Sequence, residues 1–203
     1  MTTRWDKWFA DDNLSQDKRI LAAPPSQCAQ KAVVEFLRRG KNRILDLACG
    51  VGRDSFYLQG CGLSITGVDA SWNGLKAARR NKFSPGVSPS FVNADARHLP
   101  FCEGSFEGVY CFGLLHEFTS EQRENDVARV IAEIRRMLPG GGVLVLAVLA
   151  GDPEQGMPAV RIFSRQMLEQ AMVGWRPVEI ISFDDTGCTN RNDYHIWYGL
   201  FEK

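Results

Sequence analysis

Apolar positions along the chain fall into short continuous runs that alternate with stretches repeating at helical spacing. That alternation predicts strands buried on both faces and helices that cover them, an α/β layout. Pro24-Pro25-Ser26 reads as a helix start, with Ala29, Ala32, Val33, Phe36 and Leu37 on one face and Gly40 as the stop. Strands are predicted at 43–48, 64–69, 90–94, 107–112 and 142–149, with helices between them. Ser71 is an N-cap candidate, and Arg79, Arg80 and Lys82 suit the negative end of the helix it would start. The strongest helical period is Val127, Val130, Ile131, Ile134 and Leu138, giving a helix over 120–138 with a Thr119/Gln122 capping box. A helix near 164–173 and strands near 177–183 and 195–201 complete the pattern. The link between those two strands is short and has no helical period, so they are expected to be antiparallel neighbours. The first twenty-five residues read as irregular, with Trp5, Trp8 and Phe9 as apolar points.

Length and charge narrow the classes. At 203 residues and 44% hydrophobic, the chain suits one domain with a sizeable core. Lys plus Arg and Asp plus Glu each number 24, which argues against a dedicated nucleic-acid binder and against disorder. No apolar run approaches the ~20 residues of a membrane span, and the first residues show no apolar signal core. The six cysteines form no CxxC pair, so reduced thiols and a cytoplasmic setting are expected, with no metal.

In a parallel α/β sheet, ligands bind beyond the C-terminal ends of the strands, at the switch point next to the first. The first strand ends in Asp46 and the turn Gly50-Val51-Gly52, the second in Asp69, the third in Asp95, and the fourth leads into Phe112 to His116. Such a turn would serve a dinucleotide, but Ser55 replaces the third glycine of that fingerprint, and Asp54 in the first helical turn is expected to repel a pyrophosphate. A zwitterionic sulfonium ligand suits the acids better. Its carboxylate would sit on the glycine turn, its ammonium near Asp46, its ribose hydroxyls on Asp69 and its adenine amino group on Asp95.

These residues resemble a known family. Asp46-Leu-Ala-Cys-Gly-Val-Gly52 looks like the cofactor motif of the class I S-adenosylmethionine-dependent methyltransferases, and Val68-Asp69-Ala70-Ser71, Ala94-Asp95-Ala96, Leu99-Pro100-Phe101 and Leu138-Pro139-Gly140-Gly141 follow in the family's order. The likeness covers roughly residues 41–149. The size and the Trp-rich start are similar to the tellurite-resistance and thiopurine methyltransferase groups. The resemblance implies a Rossmann-like, doubly wound, seven-stranded sheet, mostly parallel with an antiparallel last strand and helices on both faces. It also implies S-adenosylmethionine as cofactor, S-adenosylhomocysteine as product, and Gly50, Gly52, Asp69, Ala70, Asp95, Ala96 and Phe112 as cofactor contacts. A single domain over 1–203 is expected: an N-terminal lid or helical segment (1–40), a cofactor-binding core (41–149) and a substrate-side part (150–203).

Methyl transfer is an in-line displacement that needs no protein nucleophile, so the remaining candidates concern the acceptor. His116 and His195 are the candidate bases, and Trp8, Arg161 and Tyr194 the candidate substrate contacts. After the fourth strand the chain reads Phe112-Gly-Leu-Leu-His116, without the Asn/Asp-Pro-Pro-aromatic arrangement of amino-group methylation of adenine or glutamine. A small-molecule acceptor is therefore expected, with no membrane and no nucleic-acid partner. The alternatives are a silent binder of the cofactor and a protein or RNA methyltransferase.

Overall fold

The computed structural model describes residues 4–9, 23–80, 86, 88–119, 122–151, 162–185 and 194–203. Seven strands form one sheet: β1 (Arg43–Leu47), β2 (Ser64–Asp69), β3 (Ser90–Asn93), β4 (Gly108–Phe112), β5 (Val143–Leu149), β6 (Arg176–Asp185) and β7 (Tyr194–Glu202). Their order is β3-β2-β1-β4-β5-β7-β6. The first five run parallel, and β7 is antiparallel to both β5 and β6. The sequence order reverses on the two sides of β1, which makes the crevice above β1 and β4 the switch point.

Among the described residues, six helices accompany the sheet: α1 (Arg4–Trp8), α2 (Gln27–Arg38), α3 (Arg53–Gly60), α4 (Trp72–Arg80), α5 (Arg123–Met137) and α6 (Arg165–Ala171). Strand alternation sends Leu45 and Leu47 to one face, against the buried stripe Val127, Val130, Ile134 and Met137 of α5 and Leu168 of α6. Ile44 goes to the other face, against Cys28, Ala32 and Phe36 of α2 and Leu58 of α3. The same alternation places Asp46 on the α2/α3 face. β5 is buried over six of its seven residues, which explains why its sequence is wholly apolar.

Serine caps set the helix starts. Ser26 Oγ accepts the Ala29 amide at 2.9 Å, Ser71 Oγ the Gly74 amide at 3.1 Å and Ser164 Oγ the Met167 amide at 3.2 Å. Two expectations differ from the structure. The N-terminal segment includes the helix α1, which is too short to carry a 3.6-residue pattern and is held by tertiary contacts. The Thr119/Gln122 capping box does not form: α5 begins at Arg123, with Gln122 in the cap position and no side-chain cap bond.

A buried polar cluster locks α2, α3 and β4 together. Asp54 accepts the Ser26 amide at 3.0 Å, the Ser26 hydroxyl at 2.7 Å and the Tyr110 hydroxyl at 2.8 Å, and pairs with Arg53 at 2.9 Å. Burial pushes the Asp54 carboxyl up, but the Arg53 charge and the bonds from Arg53 and Ser26 outweigh it and hold the group below its ordinary range. Ser26→Ala removes the helix cap and leaves both Asp54 and Tyr110 short of a partner. It should lower the urea-unfolding free energy by about 1–3 kcal/mol; a loss indistinguishable from zero would mean that the cluster contributes nothing to joining the three elements.

Candidate functional site

The site begins with the turn after β1. The Ala48 and Cys49 amides both donate to Val68 O, at 2.8 and 3.0 Å, which ties the turn to β2. Asp69 completes the tie: its Oδ2 accepts the Gly50 amide at 2.8 Å and its Oδ1 the Ser71 amide at 2.7 Å. Burial raises the Asp69 carboxyl, and these two N–H donors work against that rise. Asn93 donates to the carbonyls of Asp69 (2.9 Å) and Ala70 (3.0 Å), fixing the chain at the end of β2. Ala70 itself is exposed and Ala96 half-buried.

Gly52 has φ +82°, and a Cβ there would lie 2.9 Å from the Phe91 ring, so only glycine fits. It starts α3 with no side-chain cap, unlike the serine-capped α2 and α6. The α3 amides therefore present a helix N-terminus with no capping side chain beside the glycine turn, a place suited to a carboxylate. A Cβ added at Gly50 would meet the Phe9 ring at 3.6 Å, and one at Gly74 the same ring at 3.1 Å. Phe9 thus sits in a slot made by two glycines, one in the turn after β1 and one in the first turn of α4.

Asp46 is 3% exposed and accepts a hydrogen bond from the Ser55 hydroxyl. Burial pushes its carboxyl up to about 7, helped by repulsion from Asp54 and Asp69 and opposed by the Ser55 bond. Ser55 is the residue that replaces the third glycine of the dinucleotide fingerprint, and its hydroxyl serves Asp46. The expected repulsion between Asp54 and a pyrophosphate does not hold. The Asp54 carboxylate turns toward Ser26 and Tyr110, and Arg53 balances its charge.

Asp95 lies beyond β3, two strand spacings or roughly 10 Å from β1. It pairs with Arg97 at 2.6 Å, and bonds from that guanidinium hold the carboxyl below its ordinary range. Arg97 in turn pairs with Asp126 of α5 at 3.1 Å. Phe112 ends β4, half-buried, with its ring stacked 6.5 Å from that of Tyr110. Asp46, Asp69 and Asp95 thus lie at or just past the C-terminal ends of three adjacent strands.

His116 belongs to the 3-10 turn Leu115–Glu117 after β4. Its Nδ1 accepts the Leu149 amide at 3.3 Å. His195 is the second residue of β7, three strand spacings or about 14 Å from β1 across the sheet. Its Nδ1 lies 2.8 Å from Asp184 Oδ1, and its side chain is half exposed. The structure therefore brings His116, not His195, beside the crevice. Arg161 and the side chains of Trp8 and Tyr194 lie outside the described residues. Among the described residues, no group of three His, Cys, Asp or Glu is placed to hold a metal ion, and no helix is long and apolar enough to cross a membrane.

Three residues make contacts at the crevice whose partners the sequence pattern did not show. Asp6 accepts the Ser71 hydroxyl at 2.9 Å and the Asn73 amide at 3.3 Å, and so docks α1 on the start of α4. Trp5 stacks on Phe9 and donates from its indole Nε1 to Glu117 Oε2 at 3.2 Å. α1 therefore bridges the ends of β2 and β4 over the glycine turn. Ser55, the third, is a polar side chain whose partner lies nine residues back in the chain.

Comparison with known proteins gives a consistent picture. Residues 45–146 match a family described as a methyltransferase domain. An uncharacterized methyltransferase of Synechocystis sp. is 35% identical over 107 residues, 53% of this chain and 47% of that protein. Demethylmenaquinone methyltransferase of Thermus thermophilus is 30% identical over 142 residues, 68% of this chain and 62% of that protein. The chain thus spans about half of the first curated relative and three fifths of the second. Magnesium protoporphyrin IX methyltransferase of Synechocystis PCC 6803, solved with bound SAH, superposes with a TM-score of 0.71 at 16% identity, covering 98% of this chain and 97% of that one. At that identity the likeness is one of fold.

The pH response of stability tests the Asp46 environment. The folded pKa of about 7 lies above the ordinary 3.8, so the native state binds the proton more tightly than the unfolded chain. The stability this group contributes is full below the ordinary value and is lost as pH rises through the folded one. Asp46→Asn removes that loss. The variant's melting temperature should fall less than the wild type's between about pH 5 and 8, and parallel curves would show that Asp46 ionises without cost.

Proposed function

The chain belongs to the methyltransferase domain family, of the class I S-adenosylmethionine-dependent type, and on that footing we propose that it transfers a methyl group from S-adenosylmethionine to a small-molecule acceptor. The observation that carries this reading is the Asp69 clasp. One carboxylate holds the glycine turn and the end of β2 at a fixed separation, with the α3 N-terminus on one side and Asp95 one strand beyond.

The residues suit the cofactor. The α3 N-terminus, without a side-chain cap, takes the carboxylate. Asp69 accepts from the ribose hydroxyls, since each of its oxygens keeps a lone pair besides the one given to a backbone amide. Asp46 accepts from the ammonium, whose positive charge favours the ionised carboxylate against burial, and Asp95 accepts from the adenine amino group. Gly50 and Gly52 let the backbone come close, while Ala70, Ala96 and Phe112 supply the apolar walls. The bound cofactor supplies an electrophilic methyl group. The chain's own work is to orient it, to exclude water and to seat the acceptor at the β4 end. α1 is the lid in this reading: Phe9 covers the glycine turn, and Asp6 and Trp5 fasten it on either side.

Thermal unfolding with S-adenosylmethionine, S-adenosylhomocysteine, NAD and NADP tests the assignment. At ~100 Kd a native-state ligand stabilises by about 2.7 kcal/mol, or roughly 5–10 °C here. The first two ligands should give that shift and the nicotinamides none. A shift only with a nicotinamide, or with none of the four, sinks the proposal. Deleting residues 1–15 should raise the cofactor Kd without unfolding the domain, and an unchanged Kd and turnover would remove the lid.

A further inference from the structure

Glu117 stands on the β4 flank of the crevice, across β1 from Asp69. Its side chain and that of His116 are 14% and 13% exposed, with His116 Nε2 3.7 Å from Glu117 Oε1. The other oxygen, Oε2, accepts the Trp5 indole N–H. The Leu149 amide donates to His116 Nδ1. A ring nitrogen that accepts an N–H carries no proton, so the neutral ring bears its hydrogen on Nε2, the atom nearest Glu117. This arrangement does not poise His116 to take a proton from an acceptor. It is a positioning residue that turns an N–H toward a carboxylate, with the far side of its ring anchored on β5.

We propose that Glu117 is the acceptor-side carboxylate and that it selects acceptors presenting a protonated nitrogen to the transferred methyl group, that is, amines. This rests on the reading of the cofactor site above. An anion in a largely buried position at the β4 end favours a cation or a strong N–H donor there and disfavours carboxylates and phenolates.

The step balances without any further reactant. An ammonium acceptor gives one proton to Glu117 and so exposes its lone pair. The N–C bond forms as the methyl group's bond to sulfur breaks. The bonding pair stays on sulfur, which loses its positive charge, and the nitrogen leaves as a methylated ammonium.

The test uses the full chain and two probes. Sinefungin carries a protonated amine where S-adenosylmethionine carries its methyl sulfonium, and S-adenosylhomocysteine carries a neutral thioether there. Calorimetric titration should find sinefungin bound about 10-fold or more tightly than S-adenosylhomocysteine, the worth of a charge-assisted hydrogen bond. Glu117→Gln keeps an amide oxygen for the Trp5 indole but loses the charge. Its S-adenosylhomocysteine Kd should stay within about threefold of wild type while the sinefungin preference falls toward one. Trp5→Phe keeps the carboxylate and should keep the preference. A preference that persists in Glu117→Gln overturns the proposal. So does a preference lost equally in Trp5→Phe, which would make Glu117 only a fastening for α1. If the wild type binds neither ligand, the cofactor reading itself falls, and this inference with it.

Discussion

Everything at the top of the sheet depends on one carboxylate accepting two backbone amides. Asp69 belongs to β2, the Gly50 amide to the turn after β1, and the Ser71 amide to the start of α4. Two charge-assisted bonds from separate loops leave the three segments little freedom relative to one another. The α3 N-terminus and the Gly50–Gly74 slot for Phe9 take their positions from that arrangement. The burial that makes Asp69 costly to ionise also keeps water from competing for its two bonds.

A second group of polar contacts, beneath the first, sets the helices. Asp54 turns inward because Ser26, Tyr110 and Arg53 together offer more than solvent would. Asp46, on the same side of the sheet, is held by the Ser55 hydroxyl with no cation bonded to it among the described residues, and its carboxyl shifts the other way. The two carboxylates share a sheet face and differ in the charge beside them. A guanidinium holds one ionised, while burial brings the other near neutrality at ordinary pH.

Much of the fold could be read from the sequence because strand and helix periods are properties of contiguous residues. β5 is apolar at every position, α5 repeats its apolar residues at helical spacing, and Ser26, Ser71 and Ser164 cap where they stand. The switch point followed from the order of Asp46, Asp69 and Asp95 along successive strands. What could not be read depends on partners distant in sequence. α1 forms because Asp6 reaches residues 71 and 73 and Trp5 reaches 117. The direction of Asp54 is decided by Ser26, and the protonated nitrogen of His116 by a backbone amide on β5. The Asp95–Arg97 pair is the exception, since its two residues are nearly adjacent and a side-chain turn there is local.

α1 has five residues, well short of the dozen or so at which a helix holds its shape in water alone. Its helical shape depends on contacts at the turn after β1, the start of α4 and the turn after β4. Losing one contact weakens the helix that carries the others. In the proposed lid role, release of a ligand beneath it would then be tied to the melting of one helical turn, a local unfolding event, as much as to the ligand's own contacts.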